Sequence, residues 1–241
     1  ASGKTIMTIE PKFIPSTAAK IKVDDFTSSI RLVDSVGYVI PQAKGYEDEM
    51  GEPRMVKTPW YDEDIPFVEA AEIGTEKVIK DHSTVGIVVT TDGSFGELKR
   101  EEYIEVEEKV ITELKTINKP FIVILNTSHP ESDMAKQIVE ELRNKHNVPV
   151  LPISVETMSQ VEIYEILRNA LYEFPVTDIA ISIPEWVHIL PNEHKIKCEY
   201  LEKIKTSTLK VNKLKDVDSI LEPVEYDISA IPLRTPVINP S

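Results

Sequence analysis

The chain has 241 residues, 41% hydrophobic and 28% charged, with a formal net charge of −14. That balance is ordinary for a globular protein in water and disfavours non-specific nucleic-acid binding or attraction to anionic lipid, both of which need clustered Lys and Arg. No apolar run approaches the roughly 20 residues that span a bilayer, "ASGKTIMTIEPKF" at the start lacks the apolar stretch of a signal peptide, and the single cysteine, Cys198, excludes an internal disulfide and fits a reducing cytosol.

The start at Ala1, inside a polar and threonine-containing stretch, leads us to expect a fragment. A strand hairpin is predicted over 19–33, where Ile21 and Val23 alternate with charged residues and "SSIRLVD" follows a short polar turn. Residues 41–59, with two glycines and three prolines, read as a loop. Residues 64–82 have helical spacing, with Phe67, Ala70, Ala71, Val78 and Ile79 on the expected buried face. Strands at 84–93, 119–128 and 147–155 then alternate with helices at 100–117, 131–145 and 159–172. Near Phe174–Val176 the composition changes and a domain boundary is expected, giving domains 1–175 and 176–241. Beyond it we expect a strand-like stretch over 176–190, a lysine-rich helix from 192 to about 215, and a tail with four prolines.

Continuous apolar strands alternating with helices imply an α/β domain with a mostly parallel sheet covered on both faces, the first hairpin adding an antiparallel edge. In such sheets the chemistry sits at the carboxyl ends of the strands, which directs attention to residues 34–37, 90–93, 126–128 and 154–157.

Asp34 in "IRLVDSVGY" ends the second strand and precedes Gly37. In P-loop nucleotide hydrolases a strand-terminal Asp holds Mg2+ and a nearby Gly amide meets the γ-phosphate. The motif by itself favours the plainer reading, an aspartate that caps a turn. Thr8, on the loop before the hairpin, stands where a switch hydroxyl would sense the γ-phosphate, and is by itself a weak signal. Asn126, Thr127 and Ser128 follow the strongest buried strand, where guanine-specific GTPases carry Asn-Lys-x-Asp; Asn-Thr-Ser-His lacks the base-reading Asp, which argues against guanine. Ser154 occupies the place of a loop over the base, or equally a helix N-cap region. The five histidines show no metal-ligand spacing. No Gly-x-x-x-x-Gly-Lys-Ser/Thr phosphate loop occurs in the 241 residues.

The strings "GKTIMTIEPKF", "IRLVDSVGY", "AKGYEDE", "TPWYDEDIPFVEAAEIGTEKVI", "HSTVGIVVTTDGS", "VPVLPISVETM" and "LRNALYEFPV" closely resemble the stage IV sporulation protein A family, the spore-coat morphogenetic ATPases of endospore-forming bacteria. The resemblance runs from Gly3 to about Asp218 and fades after it. It implies a P-loop NTPase-like domain related to the translation-factor GTPases. The first strand, phosphate loop and first helix would lie N-terminal to Ala1, and the start of a second α+β region would follow. It implies ATP and Mg2+ as ligands, with Thr8 and Asp34 at the metal as catalytic residues and Gly37, Asn126 and Ser154 around the nucleotide. Ile9 stands where the family often has a second threonine. ATP hydrolysis would drive self-assembly into the basement layer of the spore coat. Expected partners are further copies of the chain, other spore-coat proteins and a small amphipathic membrane-anchoring peptide at the forespore surface, in the mother-cell cytoplasm, and no nucleic acid. The alternatives are a non-catalytic assembly module of the coat and a GTP-dependent regulator, the latter disfavoured by the run from Asn126 to His129.

Overall fold

The computed structural model of the chain describes residues 12–24, 26–41, 43 and 51–220. The chain divides at Pro175/Val176 into two compact units. Thr8 and the proline-rich tail from residue 221 lie outside the described residues.

The first unit is α/β. Its centre is a three-stranded parallel sheet in which β6 (Phe121–Asn126) lies between β5 (Gly86–Thr91) and β7 (Val150–Ile153). Gly86 is paired with Phe121 and Thr91 with Asn126 on one side of β6, Val123 with Val150 and Asn126 with Ile153 on the other. Alternation along β6 sends Phe121, Val123 and Leu125 to one face and Ile122 and Ile124 to the other. The first set packs with Ile111 and Leu114 of α2 (Glu101–Thr116) and with Ala135, Ile138, Val139 and Leu142 of α3 (Asp133–His146). The second packs with Ile153 and with Ile166 and Ala170 of α4 (Gln160–Tyr172). Both faces of β6 are therefore covered, which is why its apolar run is continuous; each fully buried Leu or Ile contributes about 2–3 kcal/mol.

Gly86 lets the start of β5 approach β6 closely, since a Cβ there would come within 3.2 Å of the Phe121 side chain. The other edge of β5 has no strand partner among the described residues, and Ile87 and Val89 are 39% and 59% exposed. The helix ends are locally specified. Ser132 accepts a hydrogen bond from the Ala135 amide at 3.1 Å, Asn147 closes α3 in the left-handed conformation, and Ser159 and Glu162 form a capping box on α4.

Three expectations fail in instructive ways. The hairpin of β1 (Phe13–Val23) and β2 (Phe26–Val33) is not an antiparallel edge of the parallel sheet; among the described residues its strands pair only with each other. It is held instead at its turn, where Asp24 accepts hydrogen bonds from Arg168 at 2.8 Å, Tyr172 at 2.9 Å and Tyr164 at 3.0 Å, all on α4. The segment expected to be a loop ends in a second hairpin, β3 (Met55–Thr58) with β4 (Tyr61–Pro66). The helix expected from residue 64 begins only at Phe67, as α1 (Phe67–Lys77), because a proline restricts its predecessor to extended backbone and Ile65 stays in β4. A π-helical turn, Val78–His82, continues α1.

In the second unit the strand-like stretch forms no strand. Ile179 and Ile181 are each 40% exposed with no partner strand among the described residues, and α5 (Glu185–Ile189) follows Pro184. The long helix resolves into α6 (Lys195–Thr208) and a 3-10 turn at Leu214–Ile220. Among the described residues no helix is long and apolar enough to cross a membrane.

The Asp24 clamp makes a pH prediction. The hydrogen bonds from Arg168 and then Tyr172, with a lesser one from Tyr164, hold the carboxyl below its ordinary 3.8 against the opposing effect of burial. A depressed folded value means the clamp's contribution is complete above 3.8 and disappears as the pH falls below it. Tyrosine fluorescence and near-ultraviolet circular dichroism should report loosening of the α4 tyrosines in that acid range, and Asp24→Asn should loosen them already at neutral pH. An α4 environment unchanged down to pH ~2, well below any ordinary carboxylate, would disprove the clamp.

Candidate nucleotide-sensing site

Asp34 is the first residue after β2 and is exposed, and its carboxylate takes no hydrogen bond or ion pair from any described residue. Three residues on, Gly37 has φ +82°, in the left-handed region that favours glycine, and a Cβ there would meet nothing within 4 Å. The Gly37 amide donates to Thr75 Oγ1 at 2.9 Å, and the same hydroxyl donates back to the Gly37 carbonyl at 3.3 Å. Thr75 lies on α1 and is 3% exposed.

The next residue, Tyr38, donates its hydroxyl to Glu113 on α2 and lies under the Lys109 ammonium, 5.7 Å from the ring centre. Lys109 in turn pairs with Glu72 of α1 at 2.6 Å. Burial, then the hydrogen bond to Glu113, pushes the Tyr38 phenol far above its usual value, so it stays a donor at any physiological pH. The segment after β2 is thus fastened to α1 through Gly37 and to α2 through Tyr38.

A second constellation forms at the carboxyl ends of β5 and β6. Asp92 is 8% exposed; one oxygen accepts from the Ser94 amide at 2.9 Å and from its hydroxyl, the other from the Thr127 hydroxyl. Burial pushes the Asp92 carboxyl up, and these bonds more than offset it, leaving it below the ordinary carboxylate range. Ser94 then accepts from the Ser128 amide at 2.9 Å, so the loops after β5 and β6 are joined side to side. Gly93, at φ +83°, is obligatory, since a Cβ would lie 2.7 Å from the Arg100 nitrogen. The loops after β6 and β7 are joined as well: Asn126 Oδ1 accepts from the Val155 amide at 3.0 Å. Ser154 is half-buried and opens the 3-10 turn Val155–Thr157 through its backbone, without a side-chain cap; the N-cap of α4 is Ser159.

Asp34 with Gly37 and Asn126 with Ser154 therefore fall into two separate groups, with no hydrogen bond or ion pair joining them among the described residues. Sequence reasoning did not single out Thr75, and it reached Asp92 only as part of the strand end 90–93. Asp92 carries the same signature that drew attention to Asp34, a strand-ending aspartate followed by glycine. Thr75 offered only a hydroxyl close to the apolar face of α1.

Comparison with known proteins gives the family. The family model for the stage IV sporulation protein A ATPase domain matches residues 1–175, and that for the middle domain of the same protein matches residues 176–232. The chain belongs to the stage IV sporulation protein A family. It is 50% identical to stage IV sporulation protein A of Bacillus subtilis (strain 168), 49% to that of Bacillus anthracis and 48% to that of Clostridioides difficile (strain 630), over 222 residues in each case. Those residues are 92% of this chain and 45% of each relative, so the chain spans about half the length of the stage IV sporulation proteins A it matches. No solved structure matches it. The boundary between the two matched family domains coincides with the Pro175/Val176 division of the fold.

Proposed function

We propose that residues 1–175 are the nucleotide-sensing part of an ATPase that uses hydrolysis to assemble the basement layer of the spore coat. The observation that carries this reading is Asp34: an exposed carboxylate free of described partners, ending a strand within a matched ATPase domain. Mg2+ at a nucleotide keeps several waters and takes one or two carboxylates plus phosphate oxygens, so a single accessible Asp fits it. The open space beside Gly37 fits the close approach of a phosphate. Asp34, with Thr8, would hold the metal, and Gly37 would meet the γ-phosphate. The metal would neutralise charge that develops on the phosphate oxygens.

Adenine is favoured over guanine. The run Asn126 to His129 offers no carboxylate to a guanine edge, and the Val155 amide is already engaged by Asn126. Asn126, at the end of β6, and Ser154, just after β7, would border the base. The P-loop fold assignment, the self-assembling polymer, the contacts with other coat proteins and with a membrane-anchoring peptide, and the place at the forespore surface in the mother cell belong to the same proposal.

The test is turnover and sedimentation of the whole encoded protein with Mg-ATP, Mg-GTP and ATP without metal. Metal-dependent hydrolysis of ATP in preference to GTP, with sedimentable polymer, is expected. Residues 1–241 alone should bind ATP weakly, because no Gly-rich loop in them cradles the α- and β-phosphates. Tight ATP binding by those residues, or GTP preference, would contradict the proposal. Assembly without any turnover would favour the alternative, a non-catalytic coat module.

A further inference from the structure

One hydroxyl uses both hydrogen-bonding groups of the Gly37 backbone. Thr75 Oγ1 accepts from its amide at 2.9 Å and donates to its carbonyl at 3.3 Å, across 38 residues of sequence. A hydroxyl inside a helix ordinarily satisfies itself on its own helix, by donating to the carbonyl four residues back. Other helical hydroxyls of this chain do so: Thr116 to Thr112 at 2.8 Å, Thr206 to Glu202 at 2.7 Å and Thr208 to Ile204 at 2.9 Å. Thr75 instead reaches out of α1 to the segment after β2.

The geometry points to Thr75 as the residue that sets how strongly the site distinguishes a nucleoside triphosphate from a diphosphate. This rests on the reading that the Gly37 amide meets the γ-phosphate. Without nucleotide that N–H is committed to Thr75, so a third phosphate must compete with the hydroxyl for it. A charged phosphate oxygen is the stronger acceptor, and the exchange runs forward for a triphosphate. A diphosphate brings no group to that place and leaves the Thr75 contact closed. Thr75 is therefore a positioning residue that opposes triphosphate binding by the strength of one partly buried neutral hydrogen bond. Tyr38, joined to Gly37 by one peptide bond and held by Glu113, carries any displacement of Gly37 toward α2.

The experiment compares affinities of Mg-ADP and a non-hydrolysable Mg-ATP analogue in the whole encoded protein, for the parent and for Thr75→Val, Thr75→Ala and Thr75→Ser. Thr75→Val keeps the shape and removes the hydroxyl, Thr75→Ala removes it without adding apolar bulk, and Thr75→Ser restores it. Loss of one neutral hydrogen bond predicts that both hydroxyl-free variants bind the triphosphate analogue about two- to tenfold more tightly relative to ADP, and that Thr75→Ser behaves as the parent. A ratio that is unchanged or lowered in Thr75→Val and Thr75→Ala overturns the assignment. Amide exchange across residues 34–40 separates this result from the reading beneath it. Exchange that slows with the triphosphate analogue and not with ADP supports Gly37 at the γ-phosphate, and an unmoved affinity ratio then counts against Thr75 alone. Exchange indifferent to the third phosphate counts against Gly37 itself, and the Thr75 proposal falls with it.

Discussion

Asp34→Ala in the whole encoded protein is expected to lower Mg-dependent ATP turnover by about 10²–10³-fold, the usual effect of removing one group that stabilises developing charge at a reacting centre. Asp34→Asn should do nearly as much, since an amide oxygen is a poor substitute for a carboxylate at a hard divalent cation. Two features make the result readable. The side chain is exposed and takes no bond from any described residue, so the fold should lose no more than about 0.5 kcal/mol. Gly37, three residues on, owes its conformation to its own left-handed φ and to Thr75 rather than to Asp34. Reduced turnover with an unchanged denaturation midpoint therefore isolates the chemistry. Unchanged turnover would remove Asp34 from the metal site and with it the main support for the proposed function.

Glu107→Ala is expected to destabilise the first unit by about 3–5 kcal/mol, the cost of leaving one partner of a buried ion pair unpaired. Arg100 and Glu107 meet in a two-pronged pair, Nη1 to Oε2 and Nη2 to Oε1 both at 2.7 Å, with side-chain exposures of 12% and 2%. Nη1 also reaches Thr90 Oγ1 at 3.2 Å and the Thr91 carbonyl at 3.3 Å, so the guanidinium ties the start of α2 to the end of β5, next to Asp92. Without Glu107 the cation keeps its place at the strand end and loses its counter-charge. Urea unfolding should show a lower midpoint with an unchanged slope. Little of the loss should depend on salt, because a buried pair is poorly screened. Replacing both partners together, as Arg100→Met with Glu107→Leu, should recover most of the stability, since a buried pair is often matched by apolar residues of similar volume. A double variant as unstable as Glu107→Ala would mean that Arg100 matters through Thr90 and Thr91 rather than through Glu107.

Much of the first unit is legible from periodicity. The continuous apolar run of β6 announces a strand buried on both faces, and the helices expected at 100–117 and 159–172 appear as Glu101–Thr116 and Gln160–Tyr172. Those segments are legible because burial leaves a local trace: a period of two or 3.6 in the apolar residues. The β3–β4 hairpin left none. Four of the six residues of "YDEDIP" are exposed or charged and the strand is short, so helical spacing downstream extended the expected helix over it. The stretch after Pro175 shows the converse. "DIAISI" alternates as a strand should, yet alternation alone does not supply a neighbour, and Ile179 and Ile181 stay partly exposed.

The sequence by itself determined the α/β alternation and the family, and it named four carboxyl-end segments in which chemistry was to be sought. Those properties are local or compositional and survive without knowledge of which distant parts touch. Only the tertiary structure decided the partners: Gly37 with Thr75, Asp92 with Thr127, Asp24 with Arg168, pairs 38, 35 and 144 residues apart. A hydrogen bond needs two polar atoms within about 3 Å, and nothing in either residue's own neighbourhood in the sequence names the other. Packing of the helices on the sheet brings them together, and that packing turns a common strand-ending motif into a glycine whose amide and carbonyl are both bonded to one buried threonine.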